Sequence, residues 1–197
     1  MKIALDLDGT LADQHSVILP LVSSLKGVPI TVDLIDDYLA LRKYGWKDEE
    51  VWAFYRTLWV KFNLDAIQPF ERDVSFWVKK LMDLGHTIDI VTSHSGEGDE
   101  VQPIRDWLTK WGIVYNKIEF VGPKGKKETL DYDVYIDDSP YLAKALSDTK
   151  TKHLLIYSQP WNASIDSNSN PNVRRITSFK EAIPIIQSWE EDGRKVL

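Results

Sequence analysis

The chain begins Met1-Lys2-Ile3-Ala4-Leu5-Asp6-Leu7-Asp8-Gly9-Thr10, and this stretch decides the fold. Residues 2–7 form a short apolar run, the pattern of a buried strand. The run ends in two carboxylates separated by one residue, then in a glycine able to turn the backbone tightly and a hydroxyl. A strand that stops on such a cluster delivers it to the carboxyl edge of a sheet, where open parallel sheets bind their ligands.

Four later runs repeat the device. Residues 87–91 (TIDIV) stop at Thr92-Ser93, residues 117–121 (KIEFV) at Gly122-Pro123, residues 134–136 (VYI) at Asp137-Asp138, and residues 153–157 (HLLIY) at Ser158-Gln159-Pro160. Each is β-branched or aromatic and bounded by turn residues, as strands are. Segments of helical period lie between them. Residues 73–84 put Val74, Trp77, Val78, Leu81 and Leu84 on one face ahead of Gly85, and residues 101–111 do so with Ile104, Trp107, Leu108 and Trp111 ahead of Gly112. Residues 140–146 and 178–189 read as helices too. Strands alternating with helices predict an α/β fold: a Rossmann-like, mostly parallel sheet sandwiched by helices.

One region breaks the rhythm. Residues 12–69 hold no convincing strand and read as helices over 16–26, a short piece from Thr31, and 47–62. The last carries Trp52, Phe54, Tyr55, Trp59 and Phe62, with Trp46 just before it. Asp48-Glu49-Glu50 suits its first turn, where the helix dipole favours negative charge. The interval is too long for one crossover helix, which needs roughly a dozen residues. The expected organisation is a core of residues 1–12 and 70–197, with a small helical cap, 13–69, inserted after the first strand.

Composition narrows the function. The 197 residues carry 24 Lys and Arg against 30 Asp and Glu, a formal charge of −6, and 43% are hydrophobic. That suits one domain with a modest insertion and a real core. The acid excess argues against a nucleic-acid polymer or an anionic membrane as partner, but not against a small phosphorylated ligand held at one site. The absence of cysteine excludes disulfides, thiolate metal sites, Fe–S clusters and a Cys nucleophile. The N-terminus runs at once into a charged motif, and no apolar run approaches the ~18 residues of a membrane span, so a cytoplasmic location is the expectation. Asn162-Ala163-Ser164 fits a glycosylation sequon and is read as chance.

Four strand ends gather the chemistry: Asp6 to Thr10, Thr92-Ser93-His94-Ser95, Asp137-Asp138-Ser139 and the basic loop Lys124-Gly125-Lys126-Lys127. Converging carboxylates repel one another unless a cation neutralises them. An oxygen-rich set of this kind suits Mg²⁺, which takes one or two carboxylates plus a phosphate oxygen.

This set resembles the haloacid dehalogenase superfamily of phosphotransferases. Its first motif, DxDGT, stands as Asp6-Leu7-Asp8-Gly9-Thr10; its second, a hydroxyl after a hydrophobic strand, as Thr92; its third, a lysine, as Lys127; its fourth, an acidic pair, as Asp137-Asp138. The spacing resembles the 5′(3′)-deoxyribonucleotidases more closely: a Thr92-Ser93 pair, a lysine ten residues before the first Asp of an IDD triplet, and Asp133 four residues before it. The likeness extends loosely over most of the chain, through an aromatic-rich helical cap to a late Arg174-Arg175 pair, and is weaker in the cap. It implies that Asp6 attacks phosphorus and forms an aspartyl-phosphate, and that Asp8 protonates the leaving alcohol and then deprotonates water. It implies Mg²⁺ held by the Asp6 side chain, the Asp8 carbonyl and the pair Asp137/Asp138, with Asp138 preferred as the direct ligand. Thr92 and Ser93 would bind phosphoryl oxygens and Lys127 would balance their charge.

Plainer readings stand beside these. Lys124 and Lys126 compete with Lys127 or form a solvated turn; spacing favours Lys127. The segment from Gly122 to Lys126 lacks the GxxxxGK[ST] spacing of a P-loop. No HExxH or GxSxG motif is present. His94 reads equally as pocket-lining or solvent-facing, His15 and His86 as structural or exposed, and Arg174-Arg175 as surface. The cap aromatics are core by default and, as a group, a stacking surface for a base. The leading expectation is a Mg²⁺-dependent phosphomonoesterase acting on nucleoside monophosphates. The alternatives are a phosphatase for a sugar or cofactor phosphate, and a binding protein of the same fold without turnover. A homodimer is compatible with the sequence.

Overall fold

The computed structural model describes residues 1–61, 64–147, 149, 151–167 and 170–195. In chain order its regular elements are β1 (Lys2–Leu5), β2 (Ala12–Asp13), α1 (His15–Lys26), α2 (Asp48–Lys61), β3 (Gln68–Pro69), α3 (Val74–Asp83), β4 (Thr87–Thr92), α4 (Val101–Lys110), β5 (Ile118–Phe120), β6 (Val134–Asp137), α5 (Pro140–Leu146), β7 (His153–Tyr157), β8 (Val173–Ile176) and α6 (Phe179–Lys195). Short 3₁₀ turns at Val32–Leu34, Ala40–Tyr44, Lys127–Thr129 and Pro160–Asn162 fill part of the intervals.

Six strands form one parallel sheet in the order β5-β4-β1-β6-β7-β8. This is the α/β architecture that the alternation predicts. Side chains of successive strand residues point to opposite faces, and the sequence supplies apolar groups for both. Ile3, Leu5, Ile88, Ile90, Val134, Ile136 and Leu155 face one core, shared with α3, α4 and α6. Ala4, Val91, Tyr135, Leu154, Ile156 and Val173 face the other, where α5 packs. From β1 the chain proceeds outward to β4 and β5, then returns to β6 on the opposite side of β1. The crevice between β1 and β6 is therefore the point at which the winding reverses, the place where such sheets open for ligands.

Between β2 and β3 the described chain is helical. Ile18, Leu19, Val22, Val51, Tyr55, Leu58 and Trp59 from α1 and α2 join the first of the two cores. The two ends of this segment meet as a short antiparallel pair, Ala12 opposite Pro69 and Asp13 opposite Gln68, a pairing too brief for sequence periodicity to show. Helix α2 starts at Asp48 with all three acidic residues in its first turn. Phe62, expected at its end, lies outside the described residues. Among the described residues no helix is long and apolar enough to cross a membrane.

Strand β8 corrects the reading of Arg174-Arg175 as surface. Val173 and Ile176 are buried and Arg174 is exposed, but Arg175 turns inward. Its guanidinium donates to Asn162 Oδ1 at 2.8 Å, to the Asn162 carbonyl at 2.8 Å and to the Ile165 carbonyl at 2.9 Å. Asn162 is itself fully buried, and its amide donates to the Asp138 and Tyr157 carbonyls. The apparent sequon is thus an internal hydrogen-bonding residue. Arg175→Met keeps the aliphatic stem but strands these acceptors. The expected cost is about 1–3 kcal/mol, read as a fall of roughly 2–10 °C in the thermal midpoint. An unchanged melt would return Arg175 to the surface.

Candidate active site

The chain leaves β1 in one tight turn. Leu11 and Ala12 donate N–H to the Leu7 carbonyl at 2.9 and 2.8 Å, and Gly9 donates to the Ala12 carbonyl at 3.1 Å. Gly9 sits at φ +79°, and a Cβ there would fall 2.3 Å from Asp138 Oδ2. Glycine is therefore required twice, for its left-handed backbone and for the approach of the carboxylate. Asp138 is held from the far side by Trp161, whose indole N–H donates to Oδ2 at 2.8 Å. The Thr10 hydroxyl lies 3.4 Å from Oδ1.

Asp6, at the end of β1, and Asp137-Asp138, at the end of β6, are buried together, with carboxylate oxygens within 4.8 Å of one another. Lys127, also buried, lies between two of them, 2.8 Å from Asp6 Oδ1 and 2.7 Å from Asp137 Oδ2. Burial would lower the Lys127 ammonium, but Asp137 and Asp6 hold it well above its ordinary range. Burial, then the charge of Asp137, pushes the Asp6 carboxyl up against the pull of Lys127. Burial, then Asp6 and Asp137, likewise pushes Asp138 up against the Trp161 N–H. One ammonium does not balance three buried carboxylates, and a second cation would restore their ionised forms. The donors are all oxygen, which suits Mg²⁺. Both oxygens of Asp137 are engaged, one by Lys127 and the other by the Ser139 N–H at 2.7 Å. Among the described residues, Asp138 Oδ1 has only the long contact from Thr10, so Asp138 is the one of the pair with an oxygen that could serve as a direct ligand.

Asp8 stands apart from this triad. Trp59 of α2 donates its indole N–H to Asp8 Oδ1 at 3.0 Å, and His94 Nε2 lies 2.7 Å from Asp8 Oδ2. His94 Nδ1 lies 2.9 Å from Glu100 Oε2, while Ser95 engages Glu100 Oε1 through its N–H at 3.0 Å and its hydroxyl. Burial opposes both charges. Asp8 and Glu100 nonetheless lift the His94 imidazolium to about 9, and His94 with Ser95 holds the Glu100 carboxyl at about 2. His94 is therefore buried and bridging; the solvent-facing reading is corrected.

A cavity of about 230 Å³ opens on this constellation. Asp6, Asp8, Thr92, Ser93, His94 and Asp138 line it, together with Gln14, His15, Tyr38, Trp52, Tyr55, Arg56 and Trp161. Ser93 also borders a wider outer groove with Lys124, Lys126 and Lys127. Lys124 and Lys126 are exposed, whereas Lys127 alone of the three reaches the carboxylates. Among the described aromatic residues of 46–61, Trp52 and Tyr55 reach the cavity, while Trp46 and Phe54 pack on each other with ring centroids 5.2 Å apart.

Comparison with known proteins bears on the fold. No protein-family model and no curated protein sequence matches the chain. Among solved structures, D,D-heptose 1,7-bisphosphate phosphatase from B. bronchiseptica, complexed with magnesium and phosphate, superposes with a TM-score of 0.52 at 13% identity, over 97% of this chain and 99% of that one. A protein provisionally named a beta-phosphoglucomutase, from Thermotoga maritima, gives 0.53 at 12% identity, over 95% and 98%. The chain thus shares the α/β fold of these two proteins.

The His94 network fixes a dependence of stability on pH. Its folded value of about 9 lies above the ordinary 6.5, so its contribution is complete below pH 6.5 and lost as pH rises through 9. Glu100, held at about 2 against its ordinary 4.5, contributes fully above pH 4.5 and loses that contribution toward pH 2. Urea unfolding in EDTA at pH 6 and pH 9.5 should show the parent losing more stability than His94→Gln over that interval. Equal losses would remove the imidazolium from the network.

Proposed function

We propose that the protein is a Mg²⁺-dependent phosphomonoesterase of haloacid dehalogenase type, acting on nucleoside monophosphates. The observation that carries this reading is the buried Asp6–Lys127–Asp137–Asp138 cluster beside a cavity that Asp6, Asp8 and Asp138 line. In this reading the helical segment 13–69 is a cap over the sheet. Asp6 attacks phosphorus, and the bond from phosphorus to the ester oxygen breaks. Asp8 gives that oxygen a proton drawn from the hydrogen bond it shares with His94. Asp8 then takes a proton from water, whose oxygen attacks phosphorus as the bond to Asp6 breaks, releasing inorganic phosphate. Thr92 and Ser93 hold phosphoryl oxygens, and Lys127 opposes their charge. Asp6, the Asp8 carbonyl and Asp138 would hold Mg²⁺, with Asp137 beside it. When bound, the ion offsets the charge of the phosphate and of the carboxylate that attacks it.

The aromatic lining of the cavity supports a nucleoside as the leaving group. A sugar phosphate is the second reading, favoured by the names of the two proteins that share the fold. Phosphate release from a panel of 5′- and 3′-nucleotides and sugar phosphates, with and without Mg²⁺, tests both. Asp6→Asn should lower release by at least roughly a thousandfold; undiminished release would defeat the mechanism. Nucleotides should exceed sugar phosphates in kcat/KM, and equality would defeat the nucleotide claim.

A further inference from the structure

The lining of the cavity carries polar atoms that the described residues leave unpaired. Gln14 Oε1, both ring nitrogens of His15 and the Tyr55 hydroxyl are buried without a hydrogen-bond partner among the described residues, and all three residues line the cavity. They are respectively 4, 5 and 6% exposed. A buried polar atom left unpaired costs roughly 1–3 kcal/mol, so three such groups lining one cavity are a standing cost unless water or a ligand pairs them.

Their placement is determined by the motif before them. The Asp13 carboxylate accepts the Ser16 N–H at 3.1 Å and its carbonyl accepts the Ser16 hydroxyl at 2.8 Å. The chain therefore turns directly from β2 into α1, which fixes Gln14 and His15 at the start of the helix. The His15 ring lies against Trp161 at 4.5 Å and meets Tyr55 edge-on at 6.2 Å. Burial, against the pull of nearby Asp8, depresses His15 to about 4, so at neutral pH it offers one donor and one acceptor. Gln14 Oε1 requires a donor, and the Tyr55 hydroxyl serves as either. No cation stands among the three.

We infer that Gln14, His15 and Tyr55 form a subsite that hydrogen-bonds the uncharged, planar, nitrogen heterocycle of the substrate's leaving group, a nucleobase, while the aromatic walls stack on its faces. This rests on the nucleotide reading proposed above. Arg56 also lines the cavity, but its guanidinium is paired with Asp99 at 3.1 Å and Glu100 at 3.7 Å, so a charged leaving group, such as a sugar acid or a second phosphate, would meet a cation already neutralised. A ring that stacks but cannot hydrogen-bond would leave the three groups unpaired, the circumstance in which polar sites discriminate most strongly.

The test compares the ratio of kcat/KM for the best deoxynucleoside 5′-phosphate to that for deoxyribose 5-phosphate, which lacks the base. Gln14→Leu, His15→Phe and Tyr55→Phe should each lower that ratio tenfold or more; an unchanged ratio in all three overturns the inference. A measurement on the parent protein is free of folding effects. Deoxyribose 5-phosphate bearing a phenyl ring in place of the base should be hydrolysed with kcat/KM at least tenfold below the best nucleotide, and parity overturns the inference. If the parent hydrolyses sugar phosphates and not nucleotides, the nucleotide reading falls and takes this subsite with it. Failure of the ratio alone leaves the nucleotidase reading standing.

Discussion

Lys127 is buried between the carboxylates of Asp6 and Asp137, and much of the surrounding structure serves to keep it there. Its backbone carbonyl lies 2.9 Å from the Tyr135 hydroxyl, which also reaches the Leu130 carbonyl. The Lys152 ammonium donates to the carbonyls of Glu128 and Leu130, closing the same turn from the other side. Removing the ammonium would leave three carboxylates within 4.8 Å of one another in a region that water does not screen, where like charges oppose one another strongly. The adjacency of β1 and β6 brings the acids together, and Lys127 makes that adjacency tolerable.

This arrangement makes the proposed phosphate site compatible with a chain of formal charge −6. Net charge governs the long-range field and is screened within a Debye length of about 10 Å. A buried site is governed by its nearest groups. Asp6, Asp137 and Asp138 count toward the acidic total, but around them stand the Lys127 ammonium, the Trp161 indole N–H and the Ser139 N–H. A divalent cation added to that set would bring the formal charge of the three carboxylates and Lys127 to zero. The global acid excess therefore bears on polymeric and membrane partners and not on a small phosphate.

The sequence was legible where chemistry and periodicity coincide. Each of the five strands expected from β-branched runs ending at turn residues forms; β1, β4, β6 and β7 are mostly buried and need an uninterrupted apolar run, while β5 is a half-buried edge strand. Strand β8 escaped because two arginines occupy its centre and only Val173 and Ile176 anchor it. Asp6, Asp137 and Lys127 converge as expected, since position at a strand end fixes position in a parallel sheet. Glu100, Trp59 and Trp161 went unread for a different reason. Trp59 meets Asp8 across 51 residues, His94 meets it across 86, and Trp161 meets Asp138 across 23. No local pattern encodes such pairs. Gln14 and His15 directly follow the opening motif and were visible as residues, but that their polar atoms lack partners is a property of the folded cavity alone.

The Trp59 contact ties the two parts of the molecule together more closely than burial does. Trp59 is fully buried in α2, edge-on to His94 at 5.9 Å and to Trp107 at 5.8 Å, and its N–H ends on Asp8 Oδ1. Asp8 is thus held by one donor from the helical segment and by His94 from the end of β4. Displacing α2 would withdraw the indole N–H and leave Asp8 with His94 alone, and it would open the wall formed by Trp52 and Tyr55 in the same movement. The helix that shapes the cavity is therefore also the one that orients a carboxylate at the sheet edge. The shape of the pocket and the direction of the Asp8 side chain cannot be set independently.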